Sequence, residues 1–315
     1  MSARIINGNQ IAASIRTELA QEIAQLKSKG VMPGLAAVLV GENPASKIYV
    51  QGKVKACETL GLYSEQIALP ANITTSQLLK TVQELNARDQ IDGILVQLPL
   101  PDRINAAELL LAIDPAKDVD GLHPLNAGKL LSGQPGLVPC TPAGIMEILE
   151  RSGTPIRGAR AVVVGRSSLV GKPAALLLLQ RNATVTLCHS QTEKLSFVTS
   201  EADILVAAIG KPGFIRWDFI KEGATIIDVG INRLTREEDV RAIFHEPAEA
   251  LDQLAKKGYV LTGDVQPEDA REKAGAFTPV PGGVGPLTIA MLISNTVRAA
   301  RQRRGIALHS KTAEI

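Results

Sequence analysis

The chain is poor in aromatic residues, in cysteine and in net charge, and each shortage closes off a class of function. Phe, Trp and Tyr make up 3% of its 315 residues, too few for the base-stacking platforms of single-strand nucleic-acid binders. A net charge of +2 leaves no basic footprint for a polyanion. The three cysteines, Cys57, Cys140 and Cys188, are scattered and odd in number. They fit buried thiols in a reducing compartment and argue against a disulfide framework. His123, His189, His245 and His309 show no ligand spacing with one another or with cysteine, so no metal site is expected. No apolar run approaches the length of a membrane span. The opening Met1-Ser-Ala-Arg-Ile-Ile-Asn7 lacks the apolar core of a signal peptide, and a cytoplasmic location is expected. Arg298, Arg301, Arg303 and Arg304 are expected to form a solvated last helical turn, favoured by the helix dipole.

What is present is α/β patterning in a chain long enough for two domains. Apolar spacing predicts helices over 9–29, 47–60, 75–88 and 105–113. Ser46 is the expected N-cap of the second, and Gly61 its stop. Short apolar runs predict strands at 35–40, 64–69 and 91–98. Lys117 to Val138 reads as one long loop, a length that is uncommon unless functional. Thr141 as N-cap and Pro142 at the first helical position then open a helix to about Arg151. Strands at 161–165, 184–188, 203–208 and 224–229 alternate with helices, the logic of a parallel sheet. A last helix, from Pro286 to Arg303, is expected to return to the first domain.

The segment Ala161-Val-Val-Val-Gly-Arg-Ser-Ser-Leu-Val-Gly-Lys-Pro173 reads as strand, tight turn and helix N-terminus, a phosphate site in outline. Its glycines are Gly165 and Gly171, so G-x-G-x-x-G is absent. The bland alternative is an ordinary βαβ unit with a glycine turn. The next strand ends at Cys188-His-Ser190 with no acid to take the ribose 2′-hydroxyl of NAD. Arg166 and Ser190 instead offer a cation and a hydroxyl, which suit a 2′-phosphate and point to NADP.

In the first half, Ser46, Tyr49, Val50 and Lys53 share one face of a helix. Taken alone, a Tyr and Lys at this spacing are usually a solvated face. Gln97 ends a buried strand, where ligand crevices open in α/β sheets. Lys117-Asp-Val-Asp-Gly-Leu-His-Pro124 places two acids in the long loop.

Together with Tyr49-Val-Gln-Gly-Lys-Val-Lys55, Asp92-Gly-Ile-Leu-Val-Gln-Leu-Pro-Leu-Pro101, Pro139-Cys-Thr-Pro142 and Thr278-Pro-Val-Pro-Gly-Gly-Val-Gly-Pro286, these segments resemble one family. It is that of the bifunctional methylenetetrahydrofolate dehydrogenase/methenyltetrahydrofolate cyclohydrolases, and the resemblance runs from about Ile5 to Arg301. It implies a two-domain α/β enzyme. Residues 1–140, with 286–315 packing back, form a folate-binding domain, and 141–285 form a Rossmann-like NADP-binding domain with a parallel sheet. The active site is expected in the interdomain cleft, and the chain is expected to be a homodimer.

The resemblance makes Lys53 the catalytic lysine and Gln97 its hydrogen-bond partner. Tyr49 packs on the folate and Asp120 holds the pterin, whose adjacent N–H groups suit a carboxylate. Ser46, Pro281 and Gly282 complete the substrate contacts. Gly165, Arg166, Ser167, Ser190 and the backbone of Ile231 contact NADP. The small-molecule folate is the expected partner, with no nucleic acid and no membrane. A dehydrogenase with a weak cyclohydrolase step and a non-catalytic NADP-binding paralogue are the alternatives. One departure stands out. Residues 233–258 exceed the short hairpin expected of the family and read as a partly helical surface excursion beside the cofactor crevice.

Overall fold

The computed structural model describes residues 2–307; the end of the expected 286–315 segment, with His309, lies outside the described residues. In chain order the first half runs β1 (Arg4–Ile5), α1 (Gly8–Ser28), β2 (Gly34–Val40), α2 (Pro44–Leu60), β3 (Tyr63–Leu69), α3 (Thr75–Ala87) and β4 (Gly93–Val96). Then follow α4 (Ala106–Ala112), α5 (Pro124–Leu131), α6 (Cys140–Arg151), β5 (Arg160–Val164), α7 (Gly171–Gln180), β6 (Thr184–Cys188), α8 (Leu195–Thr199), β7 (Ile204–Ala207) and β8 (Thr225–Asp228). The rest is β9 (Asn232–Leu234), α9 (Glu237–Ile243), α10 (Ala248–Lys257), β10 (Val260–Thr262), α11 (Pro267–Lys273), β11 (Ala276–Phe277) and α12 (Gly285–Arg303).

The chain divides into two compact units. Among the described residues, one holds 13–140 and 289–307; the other holds 2–12 and 141–288. The first 12 residues were expected with the first domain. Strand β1 decides otherwise: it pairs in parallel with β11, and Ala3 joins the apolar core of the second unit.

In the unit built on residues 13–140, three parallel strands run in the order β3-β2-β4. Every residue of β2 is buried, so the strand is a continuous apolar run and not an alternation, as in a sheet covered on both faces. Helix α2 starts earlier than expected. Asn43, not Ser46, is the N-cap: its side chain accepts from the Ser46 amide, and Pro44 takes the first turn. The long loop is also broken, because His123 caps α5 by accepting from the Leu125 amide through Nδ1, again followed by proline. The four arginines are not a solvated turn. Arg301 pairs with Glu22 at 3.2 Å, and Arg303 and Arg304 both pair with the fully buried Asp92. Asp92 in turn accepts from the Gly34 amide at 3.1 Å, so α12 is pinned to the foot of the small sheet.

In the other unit, six parallel strands run β1-β11-β8-β7-β5-β6. Strand order reverses at β5, with β6 on one side and β7 on the other. The carboxyl ends of β5 and β7 there frame the crevice that takes ligands in open parallel sheets. Thr141 is not an N-cap, since α6 already begins at Cys140; its hydroxyl meets that of Thr288 at 3.0 Å. The excursion is partly helical. β9 and β10 pair antiparallel, Leu234 opposite Val260. α9 and α10 close a small core of Leu234, Val240, Ile243, Ala250 and Val260. A cavity of about 300 Å³ lies beneath it, lined by Phe244, Ala250, Val260, Asp228 and Thr278 among others.

Candidate active site

Helix α2 presents Ser46, Val50, Lys53 and Cys57 as a buried stripe, the i, i+4, i+7, i+11 spacing of one helical face. Tyr49 lies at its edge and is 48% exposed. A lysine that is only 8% exposed needs a partner, and Lys53 Nζ donates to Gln97 Oε1 at 3.0 Å. Gln97 follows β4 directly. Its amide donates to Val38 O at 2.9 Å and its Nε2 to Leu98 O at 2.7 Å. Both ends of the side chain are thereby oriented, with the oxygen turned to the lysine.

Asp120 completes the set. Burial pushes its carboxyl above the usual range, opposed by the nearby Lys53 charge. The segment carrying it is tied down at several points. Lys117 is 1% exposed and donates to the carbonyls of Leu85, Asn86 and Arg88 at 3.2, 2.7 and 2.8 Å, which caps the C-terminal end of α3. Asp118 bridges to Ile94 beside β4 and accepts from Leu122 N, His123 N and Asn126 Nδ2. On the far side, Asn295 of α12 donates to Val119 O and Val138 O, each at 2.8 Å, and Cys140 Sγ donates to Val119 O at 3.3 Å. Sequence reading missed Cys140, Asn295, Asp118 and Asn126 as supports. Cys140 stood in a quoted motif but was read only as a buried thiol; Asn295 carried no local signal.

In the six-stranded unit, Gly165 leaves β5 with φ 128°, and a β-carbon on it would lie 2.1 Å from Ala208 O. A β-carbon on Gly171 would lie 1.8 Å from Gly165 O. Two glycines are therefore required by close backbone approach, although the familiar three-glycine pattern is absent. Ser167 Oγ accepts from Val170 N at 3.1 Å at the entrance to α7. Arg166 and Ser190 are exposed at the ends of adjacent strands. Ile231 is 50% exposed just after β8. Pro281 and Gly282 lie in the loop before α12; a β-carbon on Gly282 would meet Asn9 Nδ2 at 3.1 Å. The cation, the hydroxyl and the glycine turn fit a 2′-phosphorylated dinucleotide. Among the described residues no cluster suited to a metal is found, and no helix is long and apolar enough to cross a membrane.

A buried lysine with a neutral oriented partner and a carboxylate in one unit, and a switch-point crevice with a glycine turn in the other, define a two-unit nucleotide-dependent α/β enzyme. Residues 6–120 match the family profile "Tetrahydrofolate dehydrogenase/cyclohydrolase, catalytic domain", and residues 139–304 match its "NAD(P)-binding domain". The "Bifunctional protein FolD" of Koribacter versatilis is 60% identical over 305 residues, covering 97% of this chain and 99% of that protein. That of Solibacter usitatus is 56% identical over 303 residues, covering 96% and 99%. The FolD crystal structure from Campylobacter jejuni superposes with TM-score 0.87 at 42% identity, covering 96% of this chain and all of the other. The Trypanosoma brucei FolD, solved with NADP and an inhibitor, gives 0.86 at 39%, covering 98% and 100%. The chain belongs to the tetrahydrofolate dehydrogenase/cyclohydrolase family.

Proposed function

We propose that this protein oxidises 5,10-methylenetetrahydrofolate with NADP and then hydrolyses 5,10-methenyltetrahydrofolate to 10-formyltetrahydrofolate, with Lys53 as the group that serves the hydrolysis. The observation that carries this reading is the 3.0 Å contact of Lys53 Nζ with Gln97 Oε1. It holds one ammonium proton on the glutamine and leaves the other two donors for a ligand.

NADP, when bound, supplies the hydride acceptor; Arg166 and Ser190 would take its 2′-phosphate, and Gly165, Ser167 and the Ile231 backbone its remaining contacts. The residues of this chain do the rest. Tyr49 offers an exposed ring for the folate to pack on, with Ser46, Pro281 and Gly282 as further contacts. Asp120 accepts from the pterin N–H edge, held at its height by Asn295, Cys140 and Asp118. In hydrolysis, water adds to the methenyl carbon and loses a proton. The bond from that carbon to N5 then breaks as the new hydroxyl gives up its proton to become the formyl carbonyl; N5 takes a proton, and the formyl group remains on N10. Lys53 is placed to pass protons in this sequence, and Gln97 orients it without adding charge. We further infer a homodimer in the cytoplasm.

Two separate assays test the reading: methylenetetrahydrofolate plus NADP for oxidation, and supplied methenyltetrahydrofolate for hydrolysis, both followed at the methenyl absorbance. Oxidation without hydrolysis would leave a monofunctional dehydrogenase. The absence of both would leave a nucleotide-binding paralogue.

A further inference from the structure

Asp264, just after β10, is fully buried and has no counterpart in the roles above. Its Oδ2 accepts from the amides of Ile209 and Gly210 at 2.7 and 2.9 Å. Its Oδ1 accepts from the Lys211 amide at 2.9 Å and from Asn232 Nδ2 at 3.0 Å. Three successive amides converging on one point form an anion-binding nest, and here the chain's own carboxylate fills it. Four donors are what a buried carboxylate needs to offset its lost hydration.

The two partners of this carboxylate are the exits of two neighbouring strands. Residues 209–211 follow β7, and Asn232 follows Ile231 at the exit of β8. A second acid extends the tie. Asp228, the last residue of β8, accepts from Gly230 N at 3.0 Å and from the amides of Asp264 and Val265, each at 2.9 Å. The packing leaves no slack. A β-carbon on Gly230 would lie 2.3 Å from Asp264 Oδ1, and one on Gly263 would lie 1.8 Å from Asp228 Oδ2. Both exits are thereby held in one register at the carboxyl edge of the sheet, the edge that carries the crevice.

We propose that Asp264 is a positioning residue for the nucleotide: by filling the 209–211 nest and holding Asn232, it sets the two strand exits at the carboxyl edge of the sheet, one of which carries the Ile231 backbone assigned to NADP. The proposal rests on the NADP reading of this unit and says which side chain holds its backbone contacts in place. It acts through Ile209–Lys211 and Ile231 and does not touch the reacting atoms.

Asp264→Asn keeps the shape but turns an amide donor toward amide donors. Asn232→Ala removes a single contact and leaves the nest filled, so it reports even where Asp264→Asn fails to fold. NADP affinity is read by titration calorimetry and by the NADP KM of oxidation, against hydrolysis of supplied methenyltetrahydrofolate as the internal control. Asp264→Asn should raise the NADP KM about tenfold, since small misplacements of a binding frame cost at least that much. Asn232→Ala should raise it about threefold, the loss of one hydrogen bond. In both, the ratio of oxidation to hydrolysis at fixed subsaturating NADP should fall. An unchanged NADP KM in Asn232→Ala and in folded Asp264→Asn overturns the proposal, as does a parallel loss of both activities, which marks a purely structural role. Failure of the unmutated protein to bind NADP would instead overturn the cofactor reading itself.

Discussion

The amide of Gly165 donates to the carbonyl of Cys188 at 2.9 Å. This last rung of the β5–β6 ladder brings Arg166 and Ser190 out on adjacent strand ends, with no acid between them. Arg166→Ala should therefore weaken NADP and leave NAD almost untouched. A charge-assisted contact is worth about 1.5–3 kcal/mol, or about ten- to a hundredfold in the NADP kcat/KM. Equal kcat/KM for the two nucleotides in the unmutated enzyme would remove Arg166 from this role.

Lys53→Met keeps the stem of the side chain and deletes its donors. Hydride transfer chiefly needs alignment, whereas hydrolysis needs assisted proton transfer, so the two activities should separate. Hydrolysis is expected to fall by about 10²–10⁴-fold, with oxidation surviving better. Gln97→Leu, which releases the ammonium from its 3.0 Å partner, should move both rates in the same direction by less. Undiminished hydrolysis in Lys53→Met would return the α2 face to a merely structural role.

Burial pushes the Asp228 carboxyl from its usual 3.8 up to about 7, against the amides of Val265, Asp264 and Gly230. The folded chain then keeps a proton that the unfolded chain has already released. The associated stability is fully present below about 3.8 and is lost as pH rises through about 7. Urea unfolding of the parent and of Asp228→Asn between these limits should show the parent losing stability relative to the variant as pH rises. A difference that stays flat with pH would mean that the amides hold this carboxyl ionised throughout.

The excursion has its own core of Leu234, Val240, Ile243, Ala250 and Val260, and its two strands meet at Leu234 and Val260. Joining β9 to β10 through a short turn should give a folded chain, because shortening a surface connection alters closure entropy little. It leaves Gln266 Nε2 without the Ile243 carbonyl, so melting should come earlier. The folate KM should not change. A loss of folate binding in the folded deletion would place the excursion within the substrate site.

Much of the scaffold was legible locally. The buried run of β2 and the glycine stop at Gly61 are short-range effects of apolar spacing and backbone freedom, and sequence carries those directly. Boundaries slipped where two local signals competed: Asn43-Pro44 outranked Ser46 as the start of α2, and His123-Pro124 opened a helix in a stretch read as loop. Element-level reading also missed β1 and β11, each of two residues, because strands that short have no period to detect.

The sequence by itself determined the α/β class, the glycine turn and the missing acid after β6. Through the family resemblance its motifs carry, it also pointed to the lysine, glutamine and aspartate of the candidate site. Only the tertiary structure decided what those residues lean on. Asn295 reaches back to Val119, Asp264 gathers the exits of β7 and β8, and Arg303 and Arg304 neutralise the buried Asp92. Each is a buried polar group satisfied by partners far away in the chain. Burial without partners is what makes such groups costly, and neither burial nor a distant partner has any signature in local spacing.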